Sequence, residues 1–390
     1  MPASPSLLIV PARFKTGKLY TQIATTSAGV VLGSSGDFNV TRATTATRFN
    51  SAGLIESVAS GVSRLDYYTS GGTAGCPALL VEPSAQNLAL HSRDLTNAVW
   101  SGTTVTTAKN AVGADGAASG ATTITATAAS GTVLQSLSHA SQSRVFSAYI
   151  RRVSGTGAIQ LTTNGGTNWT TVTISSLYTQ VACAAQTVAS GTIGIRLAVS
   201  GDVIEVDFTQ GEVGPVATSP IPTTTGSVTR NADVVTLSGA VSGCIGQTEG
   251  TIYAEVDLRA SASSSARRIV NMRVDGSNLL SLEISTAGTS VDFSAVSGGS
   301  SVTATASGIT TGIYKIAVGY NSAASGTVLY VNGTLRDTKT IAIPNLSAAV
   351  FGLGVRGDGA AGTQFNDRIR AAALYTTRLT NAELQSLTTL

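Results

Sequence analysis

The chain is a succession of short runs in which apolar and polar residues alternate, broken every few residues by Gly, Asn, Ser or Pro. A strand sends successive side chains to opposite faces, so strict alternation marks a strand buried on one side. In residues 144–152 (RVFSAYIRR), Val145, Ser147 and Tyr149 share one face, and Phe146, Ala148 and Ile150 share the other. In residues 203–208 (VIEVDF), Val203, Glu205 and Asp207 face one way and Ile204, Val206 and Phe208 the other. Helices need apolar positions repeating at 3.6, which these runs do not supply. Thr, Val and Gly abound where strong helix formers are scarce, in keeping with strands joined by tight turns. The expected fold is therefore all-β. No repeat at a fixed period appears, which argues against a solenoid or propeller.

At 390 residues the chain exceeds what one core usually serves. Its punctuation divides it into residues 1–90, 91–217, 218–247 and 248–390. The first stretch holds few long apolar runs. Within it, residues 43–49 read as a strand, Asn50 to Gly53 as a turn and Leu54 onward as the return; Gly71, Gly72 and Gly75 mark a loop; Ala78 to Val81 forms a short strand stopped by Pro83. So thin a core predicts a module stabilised by contact with copies of itself or another protein. Residues 91–217 carry closely spaced alternating runs, the mark of a jelly roll or sandwich. Residues 218–247 begin with Pro220, Pro222 and three threonines, a stiff spacer and lead-in strand. Residues 248–390 predict a second antiparallel sandwich. In it Asn332-Gly333 suits a type I′ hairpin turn, and Thr380 three residues before Glu383 makes a capping box for one short C-terminal helix.

Charged residues make up 12%, about half the usual share of roughly 25%. A net charge of +3 without any Lys/Arg run gives no footprint for nucleic acid. Cys76, Cys183 and Cys244 form no CxxC pair, so zinc-knuckle and redox chemistry are excluded and buried thiols in a reducing compartment are expected. The apolar run Leu7 to Val10 is too short for a signal-peptide core, and nothing approaches the roughly 20 apolar residues of a membrane span.

Three stretches resemble virion proteins of phages. Residues 78–101 (ALLVEPSAQNLALHSRDLTNAVWS) resemble the entry from an N-terminal attachment module into a carbohydrate-binding-module-like jelly roll, and residues 217–238 (ATSPIPTTTGSVTRNADVVTLS) its exit. Residues 326–341, 351–358 and 367–387 are similar to laminin-G-like members of the concanavalin-A-like superfamily, above all in Leu379-Thr380 and Glu383-Leu384. The resemblance implies a tail fibre, tail spike or head spike, often homotrimeric; the lack of a complete catalytic residue set predicts a protein without enzymatic activity. It implies docking on other virion proteins through residues 1–90, sandwiches that bind host-surface glycan, and location in a particle assembled in host cytoplasm and released by lysis. Two alternatives remain open: a polysaccharide depolymerase and a ligand-free capsid decoration protein.

Candidate sites are few. Asn164, Asn168 and Trp169 lie in a Gly-rich loop where a ring beside amides suits a sugar face; Trp169 and Trp100 can equally be core anchors. Glu255 and Asp257 share a strand face, as paired glycosidase carboxylates do. Arg259, however, stands where a third acid would complete the set, so a solvated charge row is expected. His91 and His139 lack the nucleophile and acid of a triad and the HExxH of a zinc hydrolase, and read as surface residues. Asp275 and Asp358 sit in oxygen-rich turns that calcium could use, though Asp-Gly is also an ordinary turn. Tyr67 and Tyr68 beside Asp66 read as core or interface residues. No cofactor other than calcium is suggested.

Overall fold

A computed structural model describes residues 4–12, 14–21, 23–24, 37–68, 75–238, 243–259 and 265–390; Gly71 and Gly72 lie outside them. The fold is all-β, two antiparallel sandwiches with one short terminal helix.

The larger sandwich stacks two sheets. The first runs edge to edge through Thr334–Lys339, Thr327–Val331, Gly312–Asn321, Glu249–Leu258, Asp367–Tyr375, Leu7–Ile9 and Ile23–Ala24, with Ala78–Val81 and Arg64–Asp66 continuing beside Asp367–Tyr375. The second runs through Phe14–Lys15, Lys18–Leu19, Phe38–Thr41, Val234–Leu237, Val350–Leu353, Arg267–Arg273, Leu279–Ile284, Ser290–Ser297 and Ser300–Ser307. Alternation decides which side chains meet between them: Ile252, Ala254, Val256 and Leu258 point inward against Val270, Met272, Leu280, Leu282 and Phe351.

This pairing changes the reading of the first ninety residues. Leu7 pairs with Leu374, Val40 with Val235, and Leu79 with Ile369. Leu7, Ile9, Leu19, Phe38, Val40, Leu65, Leu79 and Val81 all lie in the core of the larger sandwich. The stretch is thus no separate module with a thin core. The eight apolar side chains just named are covered inside the same chain, so they give no reason for it to self-associate. Among the described residues of this stretch the hairpin Ala46–Phe49/Ile55–Val58 stands apart, and its turn is closed as the sequence suggested, with the Asn50 amide donating to the Leu54 carbonyl.

The smaller sandwich is the jelly roll. One sheet holds Val105–Ala111, Ala121–Ala126, Val203–Val213, Ala85–Asn87 and Val228–Arg230, with Gln142–Ser154 along Val203–Val213. Five strands form the other: Ser101–Thr103, Gly131–Ser136, Thr192–Leu197, Ile159–Thr162 and Thr170–Val172. Phe146, Ala148, Ile150, Ile204 and Val206 point into the core as the alternation required. Phe208 does not. Its backbone is left-handed (φ 45°) beside a register shift against Ser147 and Tyr149, and the ring turns to the opposite face, against Ile55, Ala114 and Tyr149.

Residues 215–225 are not a free spacer. Thr218, Ile221 and Thr223 are buried; the Asn87 amide donates to the Ile221 carbonyl, and Thr47 Oγ1 donates to the Pro220 carbonyl. The closing hairpin and helix match expectation. Asn332 and Gly333 take φ of 49° and 74°, the positive pair a type I′ turn needs. Helix Asn381–Thr388 carries the full capping box between Thr380 and Glu383, and seats Leu384 on the outer face of the first sheet against Tyr253, Tyr330 and Tyr375.

Candidate functional site

Four arginines and several acids explain the residues 78–101 signature. Arg64 Nη1 lies 2.5 Å from Glu82 Oε2, and its Nη2 bonds Asp233. Arg42 Nη1 is 2.7 Å from Asp233 Oδ1, and Arg230 Nη1 is 2.9 Å from Glu82 Oε2. These side chains, from both sheets of the larger sandwich and one of the jelly roll, are almost wholly buried. Burial alone raises a carboxyl's pKa, but Arg230, Arg64 and the Ser219 hydroxyl outweigh it and hold Glu82 far below the usual range. Asn87 uses all its capacity: Nδ2 donates to the Thr209 and Ile221 carbonyls, and Oδ1 accepts from the Ala89 and Gly211 amides. Arg93 forks onto Asp207 and Asp115. Glu82 therefore fastens the two sandwiches together, while Asn87 and Arg93 tie segments within the jelly roll.

The outward face of the five-stranded sheet is different. Ile159, Leu161, Ile193 and Ile195 point inward, so Gln160, Thr192 and Arg196 point out. Arg196 Cζ lies 4.5 Å from the centre of the Trp169 ring, and its Nε donates to Gln160 Oε1 at 2.7 Å. Gln160 Nε2 in turn donates to Thr171 Oγ1 at 3.1 Å. A half-buried ring, a guanidinium, an amide and a hydroxyl are thus fixed on one surface. Gly166, at φ 89°, lets the ring fold back, because a Cβ there would stand 2.9 Å from Trp169 Cζ2. Beyond Thr192, whose carbonyl accepts from the Gly165 amide, a groove of about 660 Å3 continues past Leu134, Ser136, Leu90, Val99 and His139.

The three loop candidates separate. Trp169 is on the platform and outside the core. Asn168 is exposed and its side chain makes no hydrogen bond among the described residues. Asn164 is occupied: Nδ2 donates to Gln186 Oε1, and Oδ1 accepts from Thr162 Oγ1 and the Asn168 amide, so it shapes the loop. Sequence reading missed Arg196 and Gln160. They lie on strands remote in sequence, and outward alternation in residues 192–197 was the available signal. Trp100 is a core anchor whose Nε1 donates to the Leu90 carbonyl.

The remaining candidates are accounted for. Glu255 Oε1 accepts from Arg370 Nε at 2.6 Å, and Asp257 faces Arg259 at 3.4 Å, the expected charge row with a further arginine from the neighbouring strand. Of the calcium candidates, Asp358 faces cations of the chain's own. Arg273 Nε is 3.3 Å from Asp358 Oδ2, and Arg356 Nε is 2.7 Å from Asp358 Oδ1. Asp275 accepts from the Ser277 amide and Asn278 within its own turn. No group of three His, Cys, Asp or Glu among the described residues could hold a metal. His139 is exposed; His91 is half-buried with a left-handed backbone.

No family model matches the sequence, and no curated protein matches it. Solved structures similar to part of the chain include the CBM40 module of the Ruminococcus gnavus IT-sialidase, at 19% identity over 37% of this chain and 85% of that one, with a TM-score of 0.33. Domain 4 of AbnA, a GH43 extracellular arabinanase from Geobacillus stearothermophilus, solved with arabinotriose, is 17% identical over 45% of this chain and 81% of its own, with a TM-score of 0.33. A receptor binding domain is 13% identical over 40% and 39%, with a TM-score of 0.32. Such scores decide nothing about this chain's ligand.

Proposed function

We propose that the chain is a non-enzymatic structural protein of a phage particle, a tail fibre, tail spike or head spike, that holds host-surface glycan on the outer face of its five-stranded sheet. The observation that carries the binding half is the Trp169–Arg196–Gln160–Thr171 surface opening into the adjoining groove. An indole ring offers a sugar its apolar face while fixed polar groups beside it take the hydroxyls. The phage half, the homotrimer and the contact with other virion proteins are supported by the resemblance in residues 78–101 and 326–387. Because Leu7–Ile9, Phe38–Thr41 and Ala78–Val81 are strands of the larger sandwich, virion contact belongs to that unit and not to a detachable tail.

A glycan array with purified protein tests the binding half. Trp169→Ala and Arg196→Ala should each abolish the signal while melting stays within a few degrees. Equal signal from both variants overturns the assignment, and silence of the wild type favours a ligand-free decoration protein. Release of oligosaccharide from host polysaccharide, abolished by Glu255→Gln, establishes a depolymerase instead.

A further inference from the structure

Between the two sandwiches lies a second cavity, of about 410 Å3, that the sheet-face reading does not use. That size falls in the range of small-molecule sites, about 300–1,000 Å3. Three polar groups on its wall lack partners. Tyr149 is 4% exposed, and its hydroxyl makes no hydrogen bond among the described residues. Arg48 Nη1 and Asn366 Oδ1 are buried and unbonded. A buried polar group without a partner costs about 1–3 kcal/mol, so two of them beside an unbonded tyrosine hydroxyl mark a place prepared for hydroxyl-bearing matter.

The charges around it narrow the choice. Arg368 is engaged by Asp66 at 2.6 Å. Asp257 holds Arg259 loosely, at 3.4 Å, and the guanidinium lies against the Tyr68 ring, 3.1 Å from its centre. Among the described residues on this wall, Arg259 and Arg48 thus keep guanidinium capacity to spare. Asp66, Glu82 and Asp367 also line the wall and would repel a dianion such as phosphate. A single carboxylate matches the loosely held guanidinium, and hydroxyls, which both donate and accept, match Tyr149, Arg48 and Asn366.

We propose that this cavity is a separate site for a carboxylate-bearing polyol of monosaccharide size, with Arg259 on the carboxylate and Tyr149, Arg48 and Asn366 on the hydroxyls. Exposed Ala182 and Ala184 border its mouth.

The test is calorimetric titration of the full chain with sodium glucuronate, glucose and sodium acetate, followed by a crystal structure with glucuronate. Glucuronate should bind at least ten-fold tighter than glucose or acetate. Tyr149→Phe, which removes one oxygen atom, should weaken it about three- to ten-fold, the worth of one hydrogen bond. Arg259→Gln should weaken it further, and Trp169→Ala should leave it unchanged, which separates this site from the sheet face. Equal binding of glucose, unchanged affinity in Tyr149→Phe, or a soaked cavity holding water only overturns the proposal. Should Arg259→Gln fail to fold, Tyr149→Phe still decides.

Discussion

Replacing Glu82 by Gln probes the joint between the sandwiches. The carboxylate accepts from Arg64 Nη1 at 2.5 Å, the Ser219 amide at 2.8 Å and Ser219 Oγ at 2.6 Å, and it faces Arg230 Nη1 at 2.9 Å. The amide keeps the shape but loses the charge and turns one acceptor into a donor aimed at guanidinium groups. Asp233 is then left to face Arg42, Arg64 and Arg230. Breaking a buried pair from one side costs about 3–5 kcal/mol, because uncompensated charge remains buried. At about 2–4 °C per kcal/mol the midpoint falls by roughly 6–20 °C. Scanning calorimetry and urea unfolding read this directly. Glu56→Gln, which removes the partly exposed partner of Arg48, is the control and should cost about 0–1 kcal/mol. The joint also predicts one cooperative transition in the wild type and two in Glu82→Gln. Two separate transitions in the wild type, or a loss at Glu82 no larger than at Glu56, would refute the reasoning.

The acid limb of stability follows from the same group. Glu82 is held below its unfolded value of about 4.3, so its contribution is present above that pH and lost as pH falls below it. Urea midpoints should hold from pH 7 to about 5 and then decline, with a smaller decline in Glu82→Gln; equal declines contradict the assignment. Gly194→Ala should cost about 1–3 kcal/mol, since its Cβ would stand 2.4 Å from the Val133 carbonyl and from Leu134 Cδ2; an unchanged midpoint counts against the packing described. Removing residues 1–12 takes Leu7 and Ile9 from the core, each worth about 2–5 kcal/mol on truncation, and should give insoluble protein; a soluble, cooperatively melting product would exclude this placement.

What the sequence disclosed is what depends on neighbours in sequence. The alternation of residues 144–152, the Asn332-Gly333 turn and the Thr380–Glu383 capping box are local devices, and each stands in the structure as read. Phe208 escaped because one left-handed residue reverses the parity of everything after it, and no residue type announces that. The placement of Leu7–Ile9, Phe38–Thr41 and Ala78–Val81 escaped because strand pairing across most of the chain leaves no periodic mark; the scarcity of apolar residues there reflects a share in a core completed elsewhere. The candidate site was half legible. Trp169 stood out by its type and its loop, but Arg196 joins it only through the register of Thr192–Leu197 against Ile159–Thr162.

The pairing of Leu7–Ile9 with Asp367–Tyr375 also orders events in time. Ser6 Oγ donates to the Leu374 carbonyl across 368 residues of sequence. Ribosomes add about 5–20 residues per second, so the first strand waits roughly 20–70 s for the strand it lies against. Through that interval the jelly roll, whose strands all lie within residues 85–230, can close by itself. The larger sandwich cannot. An interrupted chain therefore leaves an open sheet edge and exposed leucines for quality control to find, and only a chain made through Tyr375 has both faces of its core to close.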